Sequence, residues 1–140
     1  MAEPSSQQLQ TLALMRLDDA RALLSANQFS GAYYLAGDAV ECGLKSIIAR
    51  SFRETVIPDR ALVQRVHTHN LVELVGLANL RPALDRRIRS SDSFRASWFV
   101  ASDWNEASRY EIILSPMAEL IVDAVGSEPD GILQWLREHW

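Results

Sequence analysis

The strongest constraint on the fold is the stretch of residues 29–50, which reads as one long, almost wholly apolar helix with a single line of charge. Asp38, Glu41 and Lys45 fall at i, i+3 and i+7, so a helix places them on one stripe. A helix that is apolar nearly all round lies at the centre of a fold or in an interface. Because burying unpaired charge is costly, the stripe either closes locally as a Glu41–Lys45 pair or lines a cleft.

Length and charge limit the class of protein. The 140 residues fit one domain, 1–140, with 48% hydrophobic and 23% charged residues. A formal net charge of -4 argues against a protein whose affinity comes from neutralising many nucleic-acid phosphates. The chain therefore reads as an ordinary globular domain in which only local basic patches are open to anions.

The cysteine content and the apolar runs indicate the compartment. Cys42 is the single cysteine, so no intramolecular disulfide can form and a reducing cytoplasm is expected. Its position in the apolar helix favours a small buried hydrophobe over a reactive thiol. The N-terminus has no signal-peptide pattern and no run reaches the length of a membrane span, so we expect a cytoplasmic protein without membrane contact.

Helical signals recur along the whole chain. A first helix, capped by Ser5 or Ser6, is predicted to about residue 26, and Asn27 and Gln28 break it before a second, antiparallel helix over 30–52. Residues 53–69 read as a loop that can hold one short helical turn. Asn70, with Glu73 three residues on, predicts a capping box and a helix over 71–80, after which Pro82 closes this helix or starts a successor.

The C-terminal part predicts one more long element. Ser115 and Pro116 form a helix start, with serine as cap, and the apolar period continues through Gly126 and Pro129, which predicts one kinked terminal helix. Period-two strand patterns are absent. The prediction is an all-α, up-and-down helical bundle of four to five helices with short extra helical turns.

A basic run precedes this terminal element. Between residues 81 and 95 the chain carries five arginines, which are Arg81, Arg86, Arg87, Arg89 and Arg95. We interpret the run as a solvated helix face, with an anion-binding edge as the alternative.

Several pieces of the chain, taken in order, resemble the HEPN family, the nucleotide-binding domain of higher eukaryotes and prokaryotes. Besides the end of the first helix, they are Ala36-Gly-Asp-Ala-Val-Glu-Cys-Gly-Leu-Lys45, His69-Asn-Leu-Val-Glu-Leu74 and Trp104-Asn-Glu-Ala-Ser-Arg-Tyr110. The resemblance implies a helical bundle that forms a homodimer, with its functional groups near the dimer cleft. Many members of the family are ribonucleases, often toxins controlled by a partner nucleotidyltransferase.

The chain departs from the catalytic pattern of that family. Active members carry an arginine and, after four to six intervening residues, a histidine, a pair suited to holding a phosphodiester and moving protons. Arg109 stands where the resemblance places the arginine, but residues 111–117 contain no histidine. Arg60 and His67 have the spacing of the pair but lie in the irregular segment, and we interpret them as a chance match.

Two functions remain open from the sequence. The first is a non-catalytic dimeric module that binds a nucleotide, an RNA or a partner protein, at a cleft formed by Asp38, Glu41, Lys45, Trp104, Arg109 and Tyr110. The second is a metal-independent endoribonuclease toxin that uses Arg109 with a histidine from elsewhere, His69 or His67. A structural adaptor is a third possibility that the sequence does not separate from the first.

Each candidate also has a structural interpretation. Arg109 and Tyr110 can form an inter-helix knot in which the guanidinium pairs with a carboxylate such as Glu41. His69 can be a hydrogen-bonding residue ahead of the third helix. His67, His69 and Cys42 lack the spacing of a metal site, and no phosphate-binding glycine loop is present, so no metal or cofactor is predicted.

Overall fold

The computed structural model of the protein describes residues 3–140, and over that range the chain contains helices and no strands. The helices are α1 Ser6–Ser25, α2 Phe29–Ser51, α3 Arg60–Arg65, α4 Leu71–Leu77, α5 Arg81–Ser90, α6 Asp92–Ser102, a 3₁₀ helix Glu106–Tyr110, α7 Ser115–Gly126 and α8 Ile132–Arg137. The predicted all-α bundle is confirmed. Across the described range, no helix has both the length and the apolar character needed to cross a bilayer.

The first two helices form a hairpin whose ends follow the local sequence. The Ser5 hydroxyl accepts the Gln8 backbone N–H at 3.1 Å, and the Gln8 side chain accepts the Ser5 N–H at 2.8 Å, which makes a complete capping box. Asn27 adopts a φ of 61°, a left-handed conformation that asparagine tolerates, so the chain turns there. The predicted break between α1 and α2 is confirmed.

Helix α2 is the central element, as its composition predicts. It packs against α1, α4, α7, α8 and the 3₁₀ helix. Its residues Ala36, Val40, Leu44 and Ile48 are fully buried at one-turn intervals. Helix α2 is therefore enclosed by these five elements, and any side chain on its charged stripe must find partners on them.

The segment before α5 follows the predicted pattern with small differences. Helix α3 is the single short helix expected in the irregular region. Asn70 Oδ1 accepts the Glu73 backbone N–H at 3.0 Å, and α4 ends at Leu77, three residues earlier than predicted. Pro82 lies in the first turn of the successor helix α5, where its missing N–H is not required.

The basic run forms an exposed helix surface, in agreement with the solvated interpretation. Arg81 pairs with Asp85 at 3.5 Å, and Arg95 pairs with Asp92 at 3.3 Å. Arg87 lies 3.5 Å from Glu138 and over the ring of the buried Phe94. Arg86 and Arg89 face solvent, while Leu84 provides the buried contact of α5.

The prediction of one kinked terminal helix is wrong. Helix α7 ends at Gly126, Ser127 is extended with a ψ of 153°, and α8 starts at Ile132. The apolar period continues across the break because both helices bury one face on the same core, through Ile121 and Val125 in α7 and Ile132 and Leu136 in α8. Periodicity alone cannot separate this arrangement from one continuous helix.

The predicted serine cap of α7 also needs correction. Leu114 is the N-cap residue, and Ser115 is already the first residue of the helix. The Ser115 hydroxyl donates instead to Glu119 Oε1 at 3.2 Å, one turn further along.

Candidate functional site

The sequence left two possibilities for the charged stripe of α2, a local ion pair or contacts with residues outside the helix, and the structure contains both. Lys45 Nζ lies 3.2 Å from Glu41 Oε2, so the pair closes locally at i, i+4. Glu41 is nonetheless buried, and its carboxylate also faces the residues that precede α4. A buried carboxylate with one cationic partner still has free lone pairs, which need a donor. In Glu41 that donor comes from a residue distant in sequence.

That partner is His69, which bridges two carboxylates. Its Nδ1 lies 2.9 Å from Glu41 Oε1, and its Nε2 lies 3.0 Å from Glu106 Oε2. The Nδ1 contact with Glu41 has the geometry of a hydrogen bond, in which the carboxylate accepts from the ring. The Nε2 contact with Glu106 is within ion-pair distance.

The position of His69 follows from the start of α4. Asn70 is the cap of that helix, so His69 is the last residue before the helical conformation begins. Leu71, Leu74 and Val75 fix α4 in the core against α2. The imidazole is thus held at the surface of the bundle, beside the charged stripe.

Arg109 joins the same cluster through Glu106. Its NH2 group lies 3.4 Å from Glu106 Oε1, and its guanidinium carbon lies 4.9 Å from the centre of the Tyr110 ring. In a 3₁₀ helix, residues three apart lie on one side, which brings Glu106 and Arg109 together. The carboxylate that pairs with Arg109 is Glu106 and not Glu41, because Glu41 is engaged by His69 and Lys45.

Asp38 occupies the other end of the stripe. Arg16 of α1 lies 3.6 Å from its carboxylate and also pairs with Asp19 at 2.9 Å. Burial, followed by repulsion from Glu41, raises the pKa of Asp38 above its usual value. Arg16 acts in the opposite direction but does not reverse the shift.

Trp104 lies behind this surface instead of on it. Only 3% of the residue is exposed, and its indole packs directly on Gly37 of α2, where a Cβ atom would overlap the ring. Tyr34 stacks at a tilt on the other side, with the ring centres 5.8 Å apart. Burial raises the pKa of Tyr34, and nearby Asp38 adds to that effect. Trp104 therefore packs behind the site. A ligand could contact the indole only by displacing it from Gly37.

An open groove of about 510 Å³ lies over the cluster. We call it the His69 groove, and it is lined by Thr68, His69, Asn70, Asn105, Glu106, Ala107, Arg109 and Tyr110. It combines a guanidinium, an imidazole, two amides and a largely exposed tyrosine ring. A larger hollow of about 750 Å³ beside the start of α1 is lined by uncharged residues, and it offers no group for acid–base chemistry.

The remaining candidate residues lie outside the groove. Arg60 is exposed at the start of α3 and His67 is exposed two residues after its end, and the His67 ring makes none of the hydrogen bonds found within residues 3–140. Burial raises the pKa of the Cys42 thiol to about 12, so it stays protonated at neutral pH. No group of three or more possible metal-ligating His, Cys, Asp or Glu side chains occurs in the part of the chain that the structure describes.

The structure brings together Glu41, Lys45, His69, Arg109 and Tyr110, which the sequence singled out for different reasons. Glu106, the carboxylate that connects the imidazole to the guanidinium, was missed as a site residue. The spacing of Glu106 and Arg109 at i, i+3 was the signal that could have identified it. Arg16 carries no such signal, because its contact with Asp38 joins two different helices.

Comparisons with known proteins add no family assignment to this geometry. No family model, no curated protein and no solved structure matches the chain.

Proposed function

We propose that this protein is a non-catalytic binding module that holds the phosphate end of a nucleotide or RNA in the His69 groove. The observation that supports this proposal is that an imidazole and a guanidinium line one groove and share one carboxylate, at 3.0 and 3.4 Å. Both groups are good donors to phosphate oxygens. The resemblance of the chain to HEPN domains points to the same ligand class.

The other lining groups fit a nucleotide. Tyr110 is 79% exposed and its ring offers a surface on which a base can stack. Asn70 and Asn105 supply amide groups that can both donate and accept hydrogen bonds. With a net charge of -4, the chain is better suited to one terminal phosphate than to a long polyanion.

A titration with a fluorescent nucleotide tests the proposal. We expect wild-type protein to bind, and Arg109→Ala to weaken binding by roughly tenfold or more, because a charge-assisted contact to phosphate is lost. Arg95→Ala is the matched control, since Arg95 is an exposed arginine on α6 whose one ion pair within residues 3–140 is with Asp92. Equal affinities of wild type and Arg109→Ala would remove the groove as the binding site.

The second candidate is a metal-independent ribonuclease, and one observation favours it. His69 and Arg109 are separated by a single carboxylate, so the imidazole that the local sequence after Arg109 lacks is supplied from the start of α4. Against it, the Glu106 carboxylate lies 3.0 Å from Nε2, where a substrate hydroxyl would have to approach the ring. RNA that stays intact with wild-type protein at high concentration contradicts this candidate, whereas cleavage lost in His69→Ala supports it.

We further propose that the protein forms a homodimer through the segment 110–120. Exposed apolar side chains cluster along this segment, namely Tyr110, Ile112, Leu114, Met117 and Leu120. Such exposure is typical of an interaction surface. Tyr110 also lines the His69 groove, so a second subunit on this segment would border the groove. A nucleotidyltransferase-type partner stays a prediction from the resemblance.

A further inference from the structure

We infer that Glu106 is an internal competitor of the ligand: its carboxylate occupies an anion seat between His69 and Arg109, and a ligand phosphate enters by displacing it. The nucleotide as ligand rests on the function proposed above. The anion seat itself does not, because inorganic phosphate can be tested for it directly. Glu106 then limits the affinity of the groove for its ligand, and the ligand group that binds between His69 and Arg109 is a phosphate.

The contacts of Glu106 are those that a bound phosphate would make. One carboxylate oxygen faces His69 Nε2 at 3.0 Å, and the other faces the Arg109 guanidinium at 3.4 Å. Carboxylates and phosphates both present paired acceptor oxygens, and arginine receives either of them in charge-assisted hydrogen bonds. A phosphate carries more charge and more acceptor oxygens than a carboxylate, so it gains more from the same two donors.

The two carboxylates around His69 differ in their freedom to move. The Glu41 side chain is 10% exposed and is held by Lys45 at 3.2 Å as well as by the imidazole. The Glu106 side chain is 35% exposed and belongs to a short 3₁₀ helix. Glu106 can therefore rotate into solvent at low cost, while Glu41 cannot.

Glu41 keeps the seat ready after Glu106 leaves. Its hydrogen bond with Nδ1 at 2.9 Å fixes the orientation of the ring. Nε2 then borders the place that the Glu106 carboxylate has vacated, which lies 3.0 Å from it. No covalent step is involved, and the exchange is one anion for another.

The test is a titration of inorganic phosphate into wild type, Glu106→Gln and Glu111→Gln, followed by calorimetry and by the NMR signals of the His69 ring. Glu111 is an exposed glutamate directly after the 3₁₀ helix, so Glu111→Gln makes the same change in net charge without touching the seat. We expect Glu106→Gln to bind phosphate roughly tenfold more tightly than wild type, because two donors lose their anionic partner. Glu111→Gln should change the affinity far less.

The outcomes separate this inference from the proposed function. Phosphate affinity that is unchanged or weaker in Glu106→Gln overturns the inference, and so does an equal gain in Glu111→Gln, which would indicate a general charge effect. Tighter phosphate binding in Glu106→Gln, with no nucleotide binding by either protein, supports the anion seat while refuting the proposed nucleotide function. If Glu106→Gln fails to fold, Glu106→Asp is the second variant, since it moves the carboxylate back by one methylene. It should bind phosphate more tightly than wild type, by a smaller factor than expected for Glu106→Gln. Phosphate affinity equal to that of wild type contradicts the inference.

Discussion

Asp38 is a carboxyl group whose ionisation works against folding. Burial removes its solvent, and Glu41 lies one turn away on the same stripe, so its pKa is raised above the ordinary value. The neighbouring Arg16 offsets only part of this cost. The negative charge of ionised Asp38 therefore lowers the free energy of unfolding, at a position next to the candidate site.

The pH dependence of Asp38→Asn checks this at the scale of one residue. At pH below the ordinary pKa of 3.8, Asp38 is protonated in the folded and unfolded protein, and the charge contributes nothing. As the pH rises towards the raised pKa, the unfolded chain ionises first, so wild type loses stability that Asp38→Asn keeps. We expect the free energy of unfolding of Asp38→Asn, relative to wild type, to be higher at pH 7 than at pH 3.

Urea unfolding at a series of pH values measures this difference. Asp123→Asn is the control, because Asp123 is exposed on α7 and its side chain belongs to none of the ion pairs of the described residues. A relative stability of Asp38→Asn that falls between pH 3 and pH 7 would contradict the direction of the pKa shift.

At the scale of elements, the close approach of α2 to Trp104 holds the site in place. Trp104 lies between α6 and the 3₁₀ helix, and its indole rests on the backbone of α2 at Gly37. Glycine is required there because a Cβ atom would occupy the volume of the ring. The 3₁₀ helix that carries Glu106 and Arg109 is thereby held against the charged stripe.

Two glycine substitutions measure the importance of this contact. Gly37→Ala should lower the free energy of unfolding by about 1–3 kcal/mol, because overpacking forces the indole or the helix to shift. Gly76→Ala, in α4, meets no atom within 4 Å of the added Cβ, and should be neutral or stabilising by up to about 1 kcal/mol. Chemical denaturation measures the free energy of unfolding of both variants. Equal values would show that the contact at Gly37 is not tight.

The elements that the sequence predicted well are those with local signals. Ser5 with Gln8, Asn27 and Asn70 specify helix ends through contacts within a few residues, and these ends lie where the sequence places them. The separation of α7 from α8 was missed because its cause is packing of both helices on one core, which leaves the apolar period unchanged.

The candidate site was predictable in its membership but not in its connections. The line of Asp38, Glu41 and Lys45 follows from helical spacing alone. The contact between Glu41 and His69 joins residues 28 positions apart, and the contact between Asp38 and Arg16 joins α1 to α2. Such pairings depend on how the helices are arranged in three dimensions, which no local pattern encodes.

At the scale of the whole molecule, the segment 110–120 is the feature that the single chain leaves unexplained. Ile112 is 90% exposed and Leu114 is 69% exposed. Covering apolar side chains of this size with a second protein surface removes them from water, which is favourable in free energy. The proposed homodimer would provide that cover and would place two His69 grooves on one assembly.

Sedimentation of Leu120→Glu tests the proposed homodimer. We expect wild type to sediment as a dimer and Leu120→Glu as a monomer, because a charge buried in an apolar interface without a partner is strongly unfavourable. Ile57→Glu is the control, since Ile57 is an exposed apolar residue in the loop between α2 and α3 and lies outside the segment. A monomeric wild type, or a dimer that persists in Leu120→Glu, would contradict the proposal.

The position of His69 directly ahead of α4 has a mechanical consequence. The same short helix carries Leu71, Leu74 and Val75 into the centre of the bundle, so its placement and the direction of the imidazole cannot vary independently. A displacement of the backbone at His69 would therefore disturb the buried contacts of Leu71, Leu74 and Val75.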